Sequence, residues 1–197
     1  STKGFIWSKL KQILPHDIDY VAGHPMTGCE QSGIKAANAE LFRNKGYILI
    51  PQTAKKEKSV KLVNELLKVT GANITTMGIE EHDAVAAVIS HVPHVVAAGL
   101  VNILGSAETD VDNKLKLAGG GFKDTTRIAS SNSDMWADIC ISNADNIIIE
   151  LEKLQTEITG VITDIKNNDR DNIYNYFYKA KCRRDKLIDA ANRILQK

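Results

Sequence analysis

The distribution of proline is the feature that most limits how this chain can fold. All four prolines lie between residues 15 and 93, and the remainder of the chain contains none. Because proline removes a backbone donor and breaks helix interiors, the second half of the chain is free to form long helices. The first half is divided into shorter elements, which end at Pro15, Pro25, Pro51 and Pro93.

The first part of the chain alternates between helix and strand patterns. Apolar residues at helical spacing predict one helix over residues 5–14, which Pro15 ends. The same spacing predicts a second helix over residues 58–70, with Gly71 as its C-cap. Strand, helix, strand is the order of an α/β layer, but three short strands make a poor independent domain, so we expect an incomplete sheet. The strands are predicted over residues 20–22, 47–50 and 73–77.

From Ile79 onward the pattern is helical, so the fold is expected to be mainly helical overall. Residues 80–104 are rich in Ala and Val and too apolar on every side for a surface helix. Pro93 should kink this helix, because its nitrogen cannot donate to the carbonyl of Ile89. A helix of this kind needs a second copy of the chain to cover it, and we infer a homodimer. Further helices are predicted over residues 110–117, 135–141 (capped by Ser133 or Asp134), 143–167 and 171–196.

Charge and cysteine content restrict the partners and the compartment. The chain has 25 Lys and Arg against 24 Asp and Glu, which argues against nucleic acid as a partner. No apolar run approaches the ~20 residues of a membrane span, and the N-terminus lacks a signal-peptide pattern. The cysteines, at positions 29, 140 and 182, form no CxxC pair, which is typical of free thiols in the cytoplasm.

His24 is a candidate catalytic base. It follows the predicted strand directly, and ligands of open α/β sheets bind at the carboxyl ends of strands. Pro25 and the flanking glycines, Gly23 and Gly28, place the imidazole on a rigid loop. A neutral imidazole there can accept a proton near pH 7, with an ionisation in the histidine range. The alternative is a turn histidine that is hydrogen-bonded to backbone.

Two further histidines lie close together in the apolar helix. His94 is four residues after Ser90 and shares its stripe, which makes His94 a candidate pocket residue. His91 faces a different, apolar stripe and is interpreted as a core histidine with its hydrogen bonds satisfied. No metal site is expected, because His82 and His91 lie on opposite sides of a helix and zinc needs converging ligands.

A glycine-rich segment, Gly119-Gly120-Gly121, precedes Arg127. Three glycines allow the backbone to approach a ligand closely, although a flexible loop is the alternative interpretation. The planar guanidinium of Arg127 suits bidentate binding of a carboxylate. The segment is not a phosphate-binding loop, because it lacks the GK[ST] ending. The basic residues between 179 and 186 alternate with acids and indicate a solvated helix face.

Taken in order, these segments resemble the prephenate dehydrogenases. The resemblance is close over residues 1–143 and looser beyond. It rests on Ser1-Thr2-Lys3-Gly4, His24-Pro25-Met26-x-Gly28-x-Glu30-x-Ser32-Gly33, Glu81-His82-Asp83, Ser90-His91-x-Pro93-His94, Gly119 to Arg127, and Met135-Trp136-x-Asp138-Ile139.

The resemblance implies a fold and an activity. The fold is a Rossmann-type dinucleotide-binding domain followed by an all-α domain that dimerises and binds substrate, and the predicted strands are the last ones of the Rossmann-type sheet. The boundary is expected between residues 1–77 and 78–197. The activity is the NAD-dependent oxidative decarboxylation of prephenate to 4-hydroxyphenylpyruvate in tyrosine biosynthesis, with NADP as the alternative cofactor. The GxGxxG turn of such domains is absent here, so the chain alone is expected to be inactive.

The resemblance also implies roles for individual residues. His24 and Ser1 match the catalytic residues that hold the substrate hydroxyl. Arg127 matches an arginine that binds a substrate carboxylate, and the other expected substrate contacts are Ser90, His94 and Trp136. Trp136 matches a tryptophan that can reach the partner subunit's site. Cofactor contacts fall on Ser1, Pro25, Cys29 and Glu30, where Cys29 replaces the Thr or Ser of relatives.

Three other functions compete with this interpretation. Arogenate dehydrogenase performs the same chemistry on the aminated substrate, and His94 favours prephenate because a hydrogen-bonding group suits its keto-acid side chain. A non-catalytic dimerising fragment would fold and pair without binding nucleotide, and nucleotide titration separates it from the enzyme. Another dehydrogenase of similar architecture is disfavoured by the segment from Gly119 to Arg127.

Overall fold

In a computed structural model, which describes residues 1–28, 34, 37–105 and 116–195, the chain is 71% helical. The first helix, α1, spans Gly4–Ile13 and ends at Leu14, directly before Pro15, as its amphipathic spacing predicts. Its first backbone N–H groups are held by a distant side chain, since Lys3 and Gly4 each donate to the carboxylate of Asp83 at 2.8 Å. A carboxylate at a helix N-terminus satisfies donors that the helix itself cannot use.

The sheet has three strands in the order β1–β2–β3. Strand β1 runs antiparallel to β2, and β3 runs parallel to it after the crossover helix α2 (Glu57–Lys68). Gly71 follows α2 with a φ of +71°, a left-handed conformation that glycine adopts without strain. The strands are β1 (Ala22–Pro25), β2 (Gly46–Ile50) and β3 (Asn73–Thr76), and short 3₁₀ turns cover Ala39–Phe42 and Pro51–Thr53.

Strand β1 begins two residues later than the sequence predicts. His24 therefore lies within the strand, in register with Ile48 of β2, and not in a loop beyond it. The strand tolerates Pro25 because β1 is at the edge of the sheet, where one row of backbone donors needs no partner. This placement fixes the imidazole more firmly than a loop would.

The core of the first half lies on one face of the sheet. Ala22, Ile48 and Ile50 pack there against Ile79, the first residue of the next helix. Half-buried side chains complete the core, and two of them, Trp7 and Tyr20, stack at 6.0 Å. The apolar residues that define β1 and β2 in the sequence are therefore the ones that fix the sheet to the helical half.

The apolar segment after the sheet is interrupted by a π-helical turn. Helix α3 (Ile79–Ala86) passes into this turn over Ala87–His91, and helix α4 (Val92–Gly105) follows. A single α-helix with a kink at Pro93 is the sequence prediction. The irregular turn lies before the proline, because Pro93 has no N–H to complete the helical hydrogen bonds of the preceding turn. The wider π-helical turn also leaves room for the proline ring.

The expectation that no segment could span a membrane is wrong on length and composition. The helical segment Ile79–Leu104 has 26 residues and a mean hydropathy of 1.8 in its most apolar window. Core helices of soluble proteins pass the same test, and this one contains a buried pair, His82 and Asp83, bonded to the first half of the chain. Only 22% of the window is buried within one chain.

The glycine-rich segment begins a helix and is not a loop. Gly119 is the N-cap residue of helix α5 (Gly120–Thr126), and Arg127 starts the 3₁₀ turn Arg127–Ser130 that follows. The next helix, α6 (Ser133–Ser142), is capped by Asn132, whose side chain accepts from the Met135 N–H at 2.8 Å. The sequence predicts Ser133 or Asp134 as the cap, and the structure shows Asn132 instead. The helix predicted over residues 110–117 falls almost wholly outside the described residues.

Two long helices complete the chain. They are α7 (Ala144–Lys166) and α8 (Arg170–Leu195), and Asn168 turns the chain between them with a φ of 53°. Contacts divide the chain into two compact units, Ser1–Ile148 and Ile149–Lys197. The first unit contains the sheet and the functional cleft, and the second consists of α8 and most of α7.

Candidate active site

A cleft of about 400 Å³ opens where β1 meets the helices of the first unit. His24 and Pro25 of β1 form one side, and the π-helical turn, α4 and α6 form the other. The structure thereby brings together six residues to which the sequence assigns substrate, catalytic or cofactor contacts. They are His24, Pro25, Ser90, His94, Arg127 and Trp136.

The remaining site predictions do not meet in this cleft. Ser1 lines a different surface depression, of about 530 Å³, together with Thr2, Asp138 and Ser142. Cys29 and Glu30 lie outside the described residues. The cleft also contains Met135 and Ile128, which sequence reasoning did not select because isolated apolar residues in helices carry no functional pattern.

His24 is hydrogen-bonded to a second, fully buried histidine. Its Nδ1 lies 2.8 Å from Nε2 of His82, and Nδ1 of His82 lies 2.7 Å from Oδ1 of Asp83. This arrangement excludes the alternative of a turn histidine bonded to backbone. The chain of groups runs from the cleft into the protein and ends at the N-terminus of α1, where Asp83 accepts from Lys3 and Gly4.

Asp83 and His24, at the two ends of this series of hydrogen-bonded side chains, are shifted toward different charge states. Burial works to raise the pKa of Asp83, but hydrogen bonds from His82, Gly4 and Lys3 lower it overall, so the carboxyl group is ionised. Burial, followed by the nearby charge of Lys3, lowers the pKa of His24 from 6.5 to about 3. His24 is therefore a neutral imidazole at physiological pH, and the histidine-range ionisation expected from the sequence is displaced to acid.

His94 and Trp136 form a stacked pair on the helical side of the cleft. Their rings lie 3.7 Å apart at an interplanar angle of 23°. Nδ1 of His94 lies 2.8 Å from the carbonyl of Ser90, and a carbonyl only accepts, so this nitrogen carries the hydrogen. This hydrogen bond joins residues four apart, the same separation that predicted Ser90 and His94 on one side of the helix. Trp136 lines the cleft of its own chain.

His91 lies in the core beneath the cleft, but its hydrogen bonds are only half satisfied. The side-chain amide of Asn143 donates to its Nδ1 at 3.1 Å and to the carbonyl of Asp83 at 2.8 Å. Among the described residues, Nε2 of His91 has no hydrogen-bond partner, and the same holds for Nε1 of Trp136. Burial lowers the pKa of His91 to about 4, so this ring is also neutral.

Arg127 places a cation at the cleft on the side opposite β1. It begins the 3₁₀ turn after α5 and is exposed, while the neighbouring Thr126 is buried and anchors the turn. The short helix that starts at Gly119 therefore presents the arginine at the cleft, a role that the glycine-rich pattern alone did not reveal.

Sequence reasoning missed the connection of His82 and Asp83 to His24. Both residues were noted as part of a motif, but His24 and His82 are 58 residues apart and no local periodicity links them. A usable signal existed, because an adjacent His and Asp at the start of an apolar helix need partners if they are buried. Within the described residues no group of three or more His, Cys, Asp and Glu side chains could hold a metal ion.

Comparison with known proteins identifies this architecture. A family model described as "Prephenate dehydrogenase, nucleotide-binding domain" matches residues 1–76, and "Prephenate dehydrogenase, dimerization domain" matches residues 79–179. These matches place the chain among proteins in which an α/β nucleotide-binding domain precedes a helical dimerization domain. Within that class, the chain belongs to the prephenate dehydrogenase family, which confirms the resemblance seen in the sequence motifs.

Individual relatives agree with the family match. A prephenate dehydrogenase of Bacillus subtilis is 41% identical over 187 residues, which cover 95% of this chain and 50% of that protein. The structure of Aquifex aeolicus prephenate dehydrogenase with hydroxyphenyl propionate and NAD+ has a TM-score of 0.85 at 34% identity, covering 95% of this chain and 65% of that one.

A third relative is named for arogenate. Synechocystis arogenate dehydrogenase has a TM-score of 0.80 at 25% identity, covering 95% of this chain and 67% of that one. The chain spans about half the length of the curated relatives from Bacillus subtilis and Lactococcus lactis, 50% and 49% respectively. The fold expected from the sequence, a Rossmann-type remnant followed by a helical domain, is confirmed.

Proposed function

We propose that this sequence belongs to an NAD-dependent enzyme of tyrosine biosynthesis that converts prephenate to 4-hydroxyphenylpyruvate and carbon dioxide. The observation that carries the proposal is the cleft that unites the neutral imidazole of His24 with Arg127. The names of the Bacillus subtilis and Aquifex aeolicus relatives support it, as does the substrate analogue in the Aquifex complex.

His24 is the proposed general base. Its imidazole accepts the hydroxyl proton of the substrate, and the electron pair of the broken O–H bond forms the carbonyl. The C–H bond on the same carbon breaks at the same time, and its hydride would pass to NAD when the cofactor is bound. The electron pair of the bond to the departing carboxylate then enters the ring, and the proton held by His24 returns to oxygen as the ring becomes a phenol. Because aromatisation drives the reaction, the protein mainly has to position and polarise the substrate.

Arg127 is the proposed carboxylate-binding residue. Prephenate has two carboxylates, and a guanidinium binds such a group through two parallel N–H bonds. The position of Arg127 across the cleft from β1 supports a pose in which one carboxylate is held on the helical side and the hydroxyl faces His24. The stacked rings of His94 and Trp136 supply the flat wall that a six-membered ring requires.

The residues at the mouth of the cleft fit the nicotinamide end of NAD. Pro25 ends β1, and Gly28 lines the same cleft a few residues further on. When bound, the cofactor accepts hydride from the carbon that bears the hydroxyl. We assign a nicotinamide contact to Pro25. Ser1, which lines a separate depression, is retained as a proposed catalytic and cofactor residue, and Cys29 and Glu30 are retained as proposed cofactor residues. NADP is the alternative cofactor.

Arogenate is the alternative substrate. One hydrogen bond, from Nδ1 of His94 to the Ser90 carbonyl, leaves Nε2 of a neutral His94 as an acceptor. An acceptor suits the ammonium group of arogenate, whereas a protonated His94 would donate to the keto acid of prephenate. The Synechocystis relative, which is named arogenate dehydrogenase, also favours this alternative.

We further propose a cytoplasmic homodimer without a nucleic-acid or membrane partner. The name of the dimerization-domain model and the low burial of the segment Ile79–Leu104 support pairing of two chains. The proposed division is residues 1–77 for nucleotide binding and 78–197 for dimerisation and substrate binding. The non-catalytic alternative remains for the 197 residues alone, which contain no GxGxxG turn and are expected to be inactive.

The decisive experiment is an assay of the full-length protein carrying this sequence. We expect NADH and carbon dioxide to form in equal amounts from prephenate and NAD. Parallel assays with arogenate and with NADP rank the alternatives by kcat/KM. Absence of turnover with both substrates contradicts the proposal, whereas turnover by the 197-residue chain alone contradicts the expected inactivity.

A further inference from the structure

The pair formed by His82 and Asp83 is not among the residues that the sequence motifs assign to substrate or cofactor. Neither residue lines the cleft, yet His82 contacts the proposed base directly. We propose that His82 and Asp83 are positioning residues that hold His24 in the tautomer with hydrogen on Nδ1, so that Nε2 is the basic nitrogen. This inference rests on the proposed role of His24 as a base.

The direction of each hydrogen bond follows from groups that can only donate, such as backbone N–H groups. Backbone N–H groups only donate, and those of Lys3 and Gly4 point at Oδ1 and Oδ2 of Asp83, each at 2.8 Å. Both carboxylate oxygens are therefore acceptors. His82, whose Nδ1 lies 2.7 Å from Oδ1, must donate that hydrogen bond.

The same reasoning continues from His82 to His24. A neutral imidazole with hydrogen on Nδ1 has a lone pair on Nε2. In the proposed tautomer of His82, Nε2 accepts, and Nδ1 of His24, 2.8 Å away, donates. The lone pair of His24 is then on Nε2, the nitrogen left for the substrate hydroxyl. The two backbone N–H groups thus determine, through two side chains, which nitrogen of the base can take a proton.

The arrangement also stabilises the base after it has reacted. When Nε2 of His24 accepts a proton, the ring becomes an imidazolium whose Nδ1–H already donates to His82. The carboxylate of Asp83 accepts from Nδ1 of His82 and so keeps Nε2 of His82 in place as the acceptor. His82 is 1% exposed and Asp83 is 6% exposed, so water does not screen this interaction.

Among the described residues, the surroundings of His24 supply no other group that could take this role. The nearby charges of Lys3 and of the N-terminal ammonium disfavour protonation of His24, and His82 and His91 act in the same direction. Asn143 donates to the backbone carbonyl of Asp83 and to His91, so its amide supports the helix and not the base. Among the described residues around His24, Asp83 is the buried carboxylate connected to it by hydrogen bonds.

The first test compares two substitutions of His82 in the full-length protein. His82→Gln keeps a carbonyl that can accept from His24, whereas His82→Leu removes the acceptor. We expect kcat to fall about 10²–10³-fold in His82→Leu and about 10-fold in His82→Gln, by analogy with loss of the orienting group in catalytic triads. KM for the substrate should change less than about 2-fold, because His82 does not line the cleft.

Glu81→Gln is the matched control for Asp83→Asn. Both changes remove one carboxylate from the first turns of the same helix, but Glu81 is exposed and Asp83 is buried. We expect Glu81→Gln to retain kcat. Asp83→Asn should lower kcat about 10²-fold, because an amide cannot accept from the two backbone donors and from His82 together. Equal kcat in the two variants overturns the proposal.

The second test does not depend on the substrate. Ring ¹⁵N chemical shifts of His24 in the 197-residue chain report which nitrogen carries hydrogen. We expect Nδ1 to be protonated in the wild type and in His82→Gln, and a mixture of tautomers in His82→Leu. Hydrogen on Nε2 of His24 in the wild type overturns the proposal even if the enzyme is active. The expected shifts in an enzyme that ignores prephenate contradict only the proposed substrate.

Discussion

Arg127 and His24 are expected to act at different stages of the reaction, and mutation can separate them. Arg127 should hold a carboxylate in both the ground state and the transition state. Arg127→Ala should therefore raise KM about 10²-fold, the effect of losing a charge-assisted pair worth ~2–3 kcal/mol, with kcat little changed. Steady-state kinetics with saturating NAD test this, and Arg127→Lys should recover part of the loss.

His24 should interact most strongly with the substrate while the hydroxyl loses its proton. His24→Asn should therefore lower kcat on the order of 10²–10⁴-fold and leave KM nearly unchanged. The acid limb of the wild-type pH profile should not show a histidine of ordinary pKa, because burial lowers the pKa of His24 to about 3. A His24→Asn variant with near-normal kcat would show that another group is the base.

Two neutral histidines, the half-buried His24 and the buried His91, should make the folded protein sensitive to acid. The pKa values of His24 and His91 are lowered from 6.5 to about 3 and about 4, mainly by burial. Between those values and 6.5 the unfolded chain binds more protons than the folded one, so the free energy of unfolding falls as pH falls. We expect the urea midpoint to be lower at pH 5 than at pH 7.5. His91→Gln should reduce this dependence, and an unchanged midpoint would mean that both rings protonate in the folded state.

At the scale of residues, the sequence predicted which side chains line the cleft better than it predicted what they contact. His94 and Ser90 are linked by helical spacing, and Arg127 follows a glycine-rich helix start, so local pattern was sufficient to select them. The contact between His24 and His82 joins residues 58 positions apart. It depends on how β1 packs against α3, which no single segment of sequence specifies.

At the scale of elements, the N-cap of α6 provides a sharp test. Asn132 accepts from the Met135 N–H, whereas Ser133, one residue further on, is the first residue of the helix. Asn132→Ala should lower the free energy of unfolding by about 1 kcal/mol, and Ser133→Ala should lower it by much less. Urea unfolding of both variants checks this, and a larger effect at Ser133 would restore the cap predicted from the sequence.

Proline and glycine explain why some element boundaries were predictable. Pro15 and Pro51 end elements by removing a donor, and the effect is local, so α1 and β2 end where expected. The glycines at 119–121 are ambiguous, because glycine serves equally at a helix start and in a loop. The π-helical turn before Pro93 was predicted only as a kink, since sequence does not reveal how a helix absorbs a missing hydrogen bond.

At the scale of the whole molecule, exposed apolar side chains on α4 indicate a covered face. Val101 is 40% exposed, and the segment Ile79–Leu104 has only 22% of its most apolar window buried in one chain. We expect sedimentation at micromolar concentration to give a dimer. Val101→Lys should favour the monomer, and Val69→Lys, which changes an equally apolar residue that is 88% exposed at the end of α2, should not. A stable wild-type monomer would contradict the dimer.

The sequence predicted the general architecture because proline placement and apolar periodicity act along the whole chain. It could not predict the division of contacts at Ile148, because the long amphipathic pattern of α7 continues through that boundary without interruption. The expectation that no segment is long and apolar enough to span a membrane was wrong for a related reason. A helix that a partner would cover has the same composition as one that lipid would cover.

The carboxylate of Asp83 has a consequence for protein engineering. It lies in the part of the chain that matches the dimerization domain, and it binds two backbone N–H groups in the part that matches the nucleotide-binding domain. Backbone donors carry no side-chain identity, so position 3 can vary, but a Cβ at position 4 would lie 3.0 Å from Oδ2 of Asp83, which favours glycine there. A graft that exchanges residues 1–76 to change cofactor preference should therefore succeed with dissimilar donor sequences, provided that position 4 remains glycine, position 3 does not become proline and the register of α1 is kept.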